Sequence, residues 1–175
     1  DVRFPPPPPA GSTLPWEEVA AMARRDPEAA EFTFPSPMVR VGEAARDFAA
    51  ASFPPGRPVL EGLLDLNSRF RKEFRFRSGV TGIATPVEEV LRRREGVCQD
   101  FSHVMIAGLR GLGLPAAYVS GYLRTHPPPG RPRLVGADMS HAWVGAWLGP
   151  ELGWLDLDPT NDILLSEEHV LLGWG

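Results

Sequence analysis

Apolar residues recur three and four apart through roughly the first two thirds of the chain and then switch to alternation, so helices are predicted first and strands afterwards. In Pro15-Trp16-Glu17-Glu18 a proline and two carboxylates occupy a first turn, and Val19, Met22 and Ala23 supply the apolar side of a short helix. The stretch SPMVRVGEAARDFAAASF carries Val41, Ala45, Phe48 and Ala49 at helical spacing. RPVLEGLLDLNSRFRKEF continues with Leu60, Leu63, Leu64, Asn67, Phe70 and Phe74, so both are predicted as core-facing helices. In TPVEEVLRRRE, Thr85 is placed to cap, Pro86 takes the first helical position, Glu88 closes a capping box, arginines fill the last turn and Gly96 ends the helix. Phe101, Val104, Met105, Gly108, Leu109 and Leu112 mark another helix that stops near residues 111–113, which puts Cys98 at or just inside its N-terminus. Beyond Pro115, AAYVSGYLRT, HAWVGAWL and GWLDLDPT read as strands, the last two joined as a hairpin through Gly149-Pro150 and residues 151–153. A Pro/Gly-rich loop, THPPPGRPRLVGADMS, separates the first two strands and is long enough to shape a pocket. Helices followed by an antiparallel sheet predict an α+β fold.

Composition narrows this picture. With 175 residues the chain suits one domain with a substantial core. Residues 1–15, with five consecutive prolines, read as an extended arm or linker, and residues 16–175 as the domain. A net charge of −4 argues against a nucleic-acid or anionic-membrane partner, and no stretch of about 20 apolar residues offers a membrane span. The basic run RFRKEFRFR interleaves cations with phenylalanines, but Phe70 and Phe74 keep helical spacing, so it reads as a solvated helix edge. Cys98 is the single cysteine, so no internal disulfide forms; this fits a reducing, cytoplasmic compartment and leaves export open.

A thiol at a helix N-terminus meets unpaired N–H groups and the positive end of the helix dipole, both of which favour thiolate. A cysteine nucleophile also needs an imidazole to share its proton and a carboxylate or amide to orient that imidazole. Of the four histidines, His126 in the proline-rich loop and His169 beside Glu167 and Glu168 read as solvated surface groups. His103 projects about 140° away from Cys98 on the same helix. His141, at the start of a strand that also carries Trp143 and Trp147 on its face, is the best base. Asp156 and Asp158 share a face of the neighbouring strand, and periodicity does not choose between them.

The segments GVCQDFSHVMIAGLRGLGLPAAYVSGYL, DMSHAWVGAWL and GWLDLDPTN resemble, in order and spacing, the transglutaminase-like superfamily, in particular its bacterial branch of cysteine-protease-like proteins. The resemblance implies a papain-like core in which the family's Cys, His and Asp fall on Cys98, His141 and Asp158, separated by 43 and 17 residues. It thereby selects Asp158 over Asp156. The implied chemistry is acyl transfer on peptide or carboxamide substrates through a thioester, ending in hydrolysis or, with an amine acceptor, transglutamination; it calls for no cofactor and no metal. Gln99 is the weaker candidate for a second oxyanion donor, Ser140 and Asp138 either contact substrate or simply shape the turn before His141, and Asp100 caps the helix or bonds a nearby loop. Members of the branch often carry a β-rich domain ahead of the catalytic one, and the resemblance places a final helix before a Gly-Arg-Asp-Tyr run that does not appear before the sequence ends at HVLLGWG.

Other readings compete. A lone cysteine is commonly a small buried hydrophobe. A zinc site built on Cys98 and His141 lacks a second cysteine or paired histidines. Trp143, Trp147 and Trp154 serve either as an aromatic substrate platform or as core of the sheet. A transglutaminase-like fold retained as a non-catalytic binding module for peptides or assembly requires only that Cys98 be ordinary.

Overall fold

The computed structural model describes residues 6–9, 11–124 and 139–175. His126 and Asp138 lie outside them. The order is α1 (Trp16–Ala23), α2 (Pro27–Ala30), a 3-10 turn (Glu31–Thr33), α3 (Glu43–Ala50), α4 (Val59–Glu73), β1 (Arg75–Phe76), α5 (Val87–Arg93), β2 (Glu95–Gly96) and α6 (Cys98–Gly111), followed by strands. These are β3 (Ala116–Leu123), β4 (Met139–Trp147), β5 (Trp154–Asp158), β6 (Ile163–Leu164) and β7 (His169–Trp174). The strands form one antiparallel sheet in the order β6-β5-β4-β3-β7, while β1 and β2 make a short parallel pair. No helix among the described residues is long and apolar enough to cross a membrane. The fold is α+β, helices packed against an antiparallel sheet.

Helix α6 is the axis of the molecule. Every residue from Asp100 to Arg110 is buried, because α3 and α5 cover one side of the helix and β3 and β4 the other. Close contact with α3 depends on Gly108: a Cβ there would stand 2.7 Å from the Ala49 methyl and 2.9 Å from the Ala45 carbonyl oxygen. Around the first turn, Phe101 packs on Phe70 and Phe74, which in turn contact Phe48 at centroid distances of 5.4 and 5.6 Å. The guanidinium groups of Arg69 and Arg94 lie over the Phe48 ring at 4.2 and 4.7 Å, so the cations of the basic run and its neighbour close this aromatic cluster. At the other end, buried Arg110 donates to the Ala116 carbonyl at 3.0 and 2.8 Å and to the Phe34 carbonyl at 2.8 Å, tying α6 to the start of β3.

Several local expectations change in three dimensions. Val19, Ala20 and Ala23 line the buried side of α1, and Met22 turns outward, because it lies about 100° from the centre of that triplet. Val41 precedes α3, which starts after Gly42, and Leu64 lies on the exposed flank of α4. The Thr85 capping box does not form: its hydroxyl accepts from Gly82 N–H at 2.9 Å, Pro86 stays extended, and the helix begins at Val87. That helix ends at Arg94 in the left-handed region (φ 55°), not at Gly96. Gly96 is required for another reason, since a Cβ there would meet the Asp100 side chain at 2.7 Å. The C-terminal segment, to which periodicity assigned no element, forms strand β7, whose antiparallel pairing with β3 satisfies its backbone.

Gly108→Ala tests the α3–α6 contact. Overpacking against a backbone carbonyl costs about 1–3 kcal/mol, and the better helix propensity of alanine returns at most about 1 kcal/mol. The expected outcome in chemical denaturation is a net loss of stability with an unchanged m-value.

Candidate active site

The parallel pairing of β2 with β1 delivers the chain directly into α6, so Cys98 becomes the first residue of that helix. Asp100 holds the turn closed. Its Oδ2 accepts from Val97 N–H at 2.8 Å and from the Thr81 hydroxyl at 2.6 Å, which supplies both a cap for the helix and a tether to the preceding loop. Cys98 is thereby held where the orphan N–H groups of the helix converge.

His141 stands near the start of β4, across from Gly121 of β3, and is 8% exposed. Its Nε2 lies 2.8 Å from Asp158 Oδ2, which leaves Nδ1 for the hydrogen bond with the Cys98 thiol. Asp158, fully buried at the end of β5, accepts five hydrogen bonds from the described residues. Oδ1 takes the N–H groups of Thr160 (2.9 Å) and Asn161 (3.2 Å), an Asx-type turn around Pro159. Oδ2 takes the Asn161 amide at 2.6 Å, His141 at 2.8 Å and His169 Nε2 at 3.3 Å.

These contacts set the charges. Burial pushes the Cys98 thiol up, but the hydrogen bond and positive charge of His141, with the backbone N–H groups of Ala142 and Gln99, outweigh it and leave the thiol below its usual value. Burial likewise opposes charge on His141, yet hydrogen bonds to Asp158 and Cys98 and their negative charges raise it to about 9. Asp158 is pushed up by burial and brought well below the ordinary carboxylate range by its hydrogen bonds from His141 and His169, the charge of His141 and the Asn161 amide. A thiolate–imidazolium pair is therefore favoured from the depressed thiol range up to about pH 9.

The remaining residues fall into distinct places. The Gln99 side chain donates to the Ile83 carbonyl at 3.3 Å, and its backbone N–H faces the Cys98 sulfur. Ser140 is exposed, one residue before His141. Trp143 is fully buried; its indole packs 6.1 Å from the His141 ring and donates to Asp156 at 3.3 Å. It is a wall behind the site and cannot offer a substrate a surface. Asp156 is thus occupied with Trp143, and burial raises its pKa against the opposing effects of that hydrogen bond and His169. His103 points away from Cys98 towards Tyr118, with ring centroids 5.2 Å apart. Met38, Ile83, Gln99, His103, Tyr118 and Trp174 line an adjoining groove of about 570 Å³.

His169 is the main departure from the sequence reading. Placed there as a solvated group because acidic residues precede it, the side chain is fully buried and bonds Asp158. The short apolar run after it, Val170-Leu171-Leu172 bounded by Gly173, was the available sign of a strand. The role of Asn161 was also missed, although a polar residue soon after Asp-Pro favours such a turn. His141, Asp158 and His169 bring three ligand-type atoms within 4.8 Å of one another. They are joined through Oδ2 by the two hydrogen bonds described above, so an ion placed between them would have to displace both protons.

A family model for the transglutaminase-like superfamily matches residues 46–159. The chain belongs to this superfamily. An uncharacterised protein of Mycobacterium tuberculosis is 47% identical over 178 residues, covering 97% of this chain and 57% of the relative, so the chain spans little more than half the length of that protein. A protein-glutamine gamma-glutamyltransferase of Pseudomonas aeruginosa is 41% identical over 71 residues, 40% of this chain and 10% of that protein. Among solved structures, a candidate cysteine protease from Cytophaga hutchinsonii superposes with a TM-score of 0.69 at 25% identity, covering 86% of this chain and 47% of its own. The fold is thus that of transglutaminase-like and cysteine-protease-like proteins.

Asp158→Asn removes the negative charge that lifts His141. The expected outcome is a fall of the imidazole titration from about 9 towards the ordinary value of about 6.5, read from histidine ring chemical shifts across a pH series.

Proposed function

We propose that this protein catalyses cysteine-dependent acyl transfer on peptide or carboxamide substrates through a thioester acyl-enzyme, with water as the acceptor. The observation that carries the reading is the continuous hydrogen-bonded chain from the Cys98 thiol at the start of α6, through His141, to Asp158. In this reading the Cys98 thiolate attacks the substrate carbonyl and forms the C–S bond. The backbone N–H of Cys98, unpaired within the helix, faces the resulting oxyanion. Collapse breaks the C–N bond as His141 gives its proton to the leaving amine. His141 then takes a proton from water, whose oxygen attacks the thioester and frees the carboxylic acid and the thiolate. Asp158 fixes the ring and balances its charge without taking its proton, consistent with its depressed basicity.

Substrate contacts in this reading come from exposed Ser140 and from the groove beside Gln99, whose apolar lining suits an uncharged side chain of a protein or peptide next to the reacting carbonyl. A second oxyanion donor from the Gln99 side chain requires release of its bond to Ile83. The likeness to a protein-glutamine gamma-glutamyltransferase favours a second acceptor, a primary amine, which captures the same thioester and gives a crosslink. The rival, a non-catalytic binding module, requires an unreactive thiol.

Iodoacetamide separates the enzyme from the module. Cys98 is expected to alkylate rapidly near pH 6, and at least about tenfold more slowly in His141→Ala, since a free thiol with a pKa near 8.5 is almost wholly protonated there. Labelling of the unsubstituted protein no faster than a free thiol removes the central premise. For the acceptor, products formed from a glutamine-containing peptide with and without a primary amine are weighed by mass spectrometry. Release of acid alone at saturating amine supports hydrolysis, and an amine adduct supports transfer.

A further inference from the structure

Two imidazoles meet on one carboxylate oxygen. His141 reaches Asp158 Oδ2 from β4 at 2.8 Å, and His169 reaches the same atom from edge strand β7 at 3.3 Å. His169 is fully buried, with its ring edge-on to Trp143 at 5.3 Å, and β7 is held in register by the pairing of His169 with Leu123. Its tautomer is fixed locally: Nδ1 accepts the Ser166 backbone N–H at 3.4 Å, which puts the ring proton on Nε2 and aims it at Asp158. Both ring nitrogens of this buried side chain are thereby satisfied.

We propose that His169 is a positioning residue that moderates how tightly Asp158 holds the His141 proton. The inference rests on the acyl-transfer reading above. A carboxylate oxygen shared among three donors has less electron density to offer each of them, so the N–H of His169 competes with that of His141. With His169 in place, Asp158 keeps the imidazole oriented but does not over-stabilise the imidazolium, and His141 remains able to pass its proton to a leaving amine. Without it, Asp158 becomes more basic, the imidazolium is held more strongly, and proton release slows. Among the described residues, the other ionisable groups around the cluster are Cys98 from α6, Asp156 from β5 on the far side of Trp143, and Glu168 beside His169, which lies 3.7 Å from Arg124. None of these donates to Asp158, so the competition is between the two histidines and Asn161.

The test compares His169→Phe, which keeps a ring but removes the donor, with His169→Gln, whose amide N–H reaches about as far as Nε2. The readouts are the pH dependence of Cys98 alkylation and the rate of acyl-enzyme formation. In His169→Phe the upper limb of the alkylation profile, set by loss of the His141 proton near pH 9, is expected to move up by about half a pH unit. Acylation is expected to slow by about tenfold, short of the ~10²–10⁴-fold that general acid–base catalysis contributes as a whole. His169→Gln is expected to restore both. A purely structural role would lower the unfolding temperature of His169→Phe and leave the limb where it is, which overturns the proposal. An independent check needs no variant: long-range ¹⁵N spectra of the unsubstituted protein are expected to show the His169 proton on Nε2, and a proton on Nδ1 alone overturns the proposal equally. Failure of the underlying reading looks different, because then the unsubstituted protein itself alkylates no faster than a free thiol.

Discussion

Nearly everything about the site depends on the burial of α6. A helix whose residues from Asp100 to Arg110 all face neighbouring elements has no solvent side along which to slide or roll. It is clamped at one end by the Phe48–Phe70–Phe74–Phe101 cluster and at the other by the Arg110 hydrogen bonds to Ala116 and Phe34. The small residues Ala45, Ala49 and Gly108 let α3 approach closely enough to complete the enclosure. Because the helix cannot move, its first residue is fixed relative to β4, and the thiol of Cys98 meets the ring of His141.

Around that fixed point the sheet builds an electrostatic gradient. Asp158 is buried without exposure, a position that ordinarily disfavours a charged carboxylate. Five donors reverse that penalty, and the resulting anion raises His141, which in turn lowers Cys98. Each step opposes a desolvation cost with a specific partner, so the charge on sulfur depends on contacts two side chains away. Trp143 contributes by exclusion. Its buried indole fills the space behind His141 and His169, keeping water from loosening the hydrogen bonds around Asp158.

Membership of the transglutaminase-like superfamily accounts for this framework, and the proposed acyl transfer leaves the acceptor to be chosen by what surrounds it. Hydrolysis and transamidation share the thioester, and they differ in what reaches it and how fast. The groove beside Gln99 is formed by residues of α6, β3 and the end of β7 together with Ile83, Met38 and Val39, so it is assembled from segments distant in the chain.

Local chemistry in the sequence was enough to place α4, α6 and strands β3 to β5, because their apolar periodicities are long and their ends carry glycine or proline. It also made Cys98 a helix-terminal thiol and His141 a strand-borne partner, and the motif around Asp158 singled that residue out by resemblance. Short-range signals failed where tertiary contacts competed: Thr85 spends its hydroxyl on Gly82, Gly96 makes room for Asp100, and Met22 and Leu64 turn outward. His169 was the largest loss, since neighbouring acidic residues marked it as exposed while strand pairing carried it into the core. The sequence by itself determined which groups were available and which elements would bear them, because helix and strand periodicity are properties of near neighbours. Only the tertiary structure decided that two histidines from different strands share one oxygen of Asp158, because that depends on cross-strand register and on the burial that makes an unpaired carboxylate too costly to leave alone.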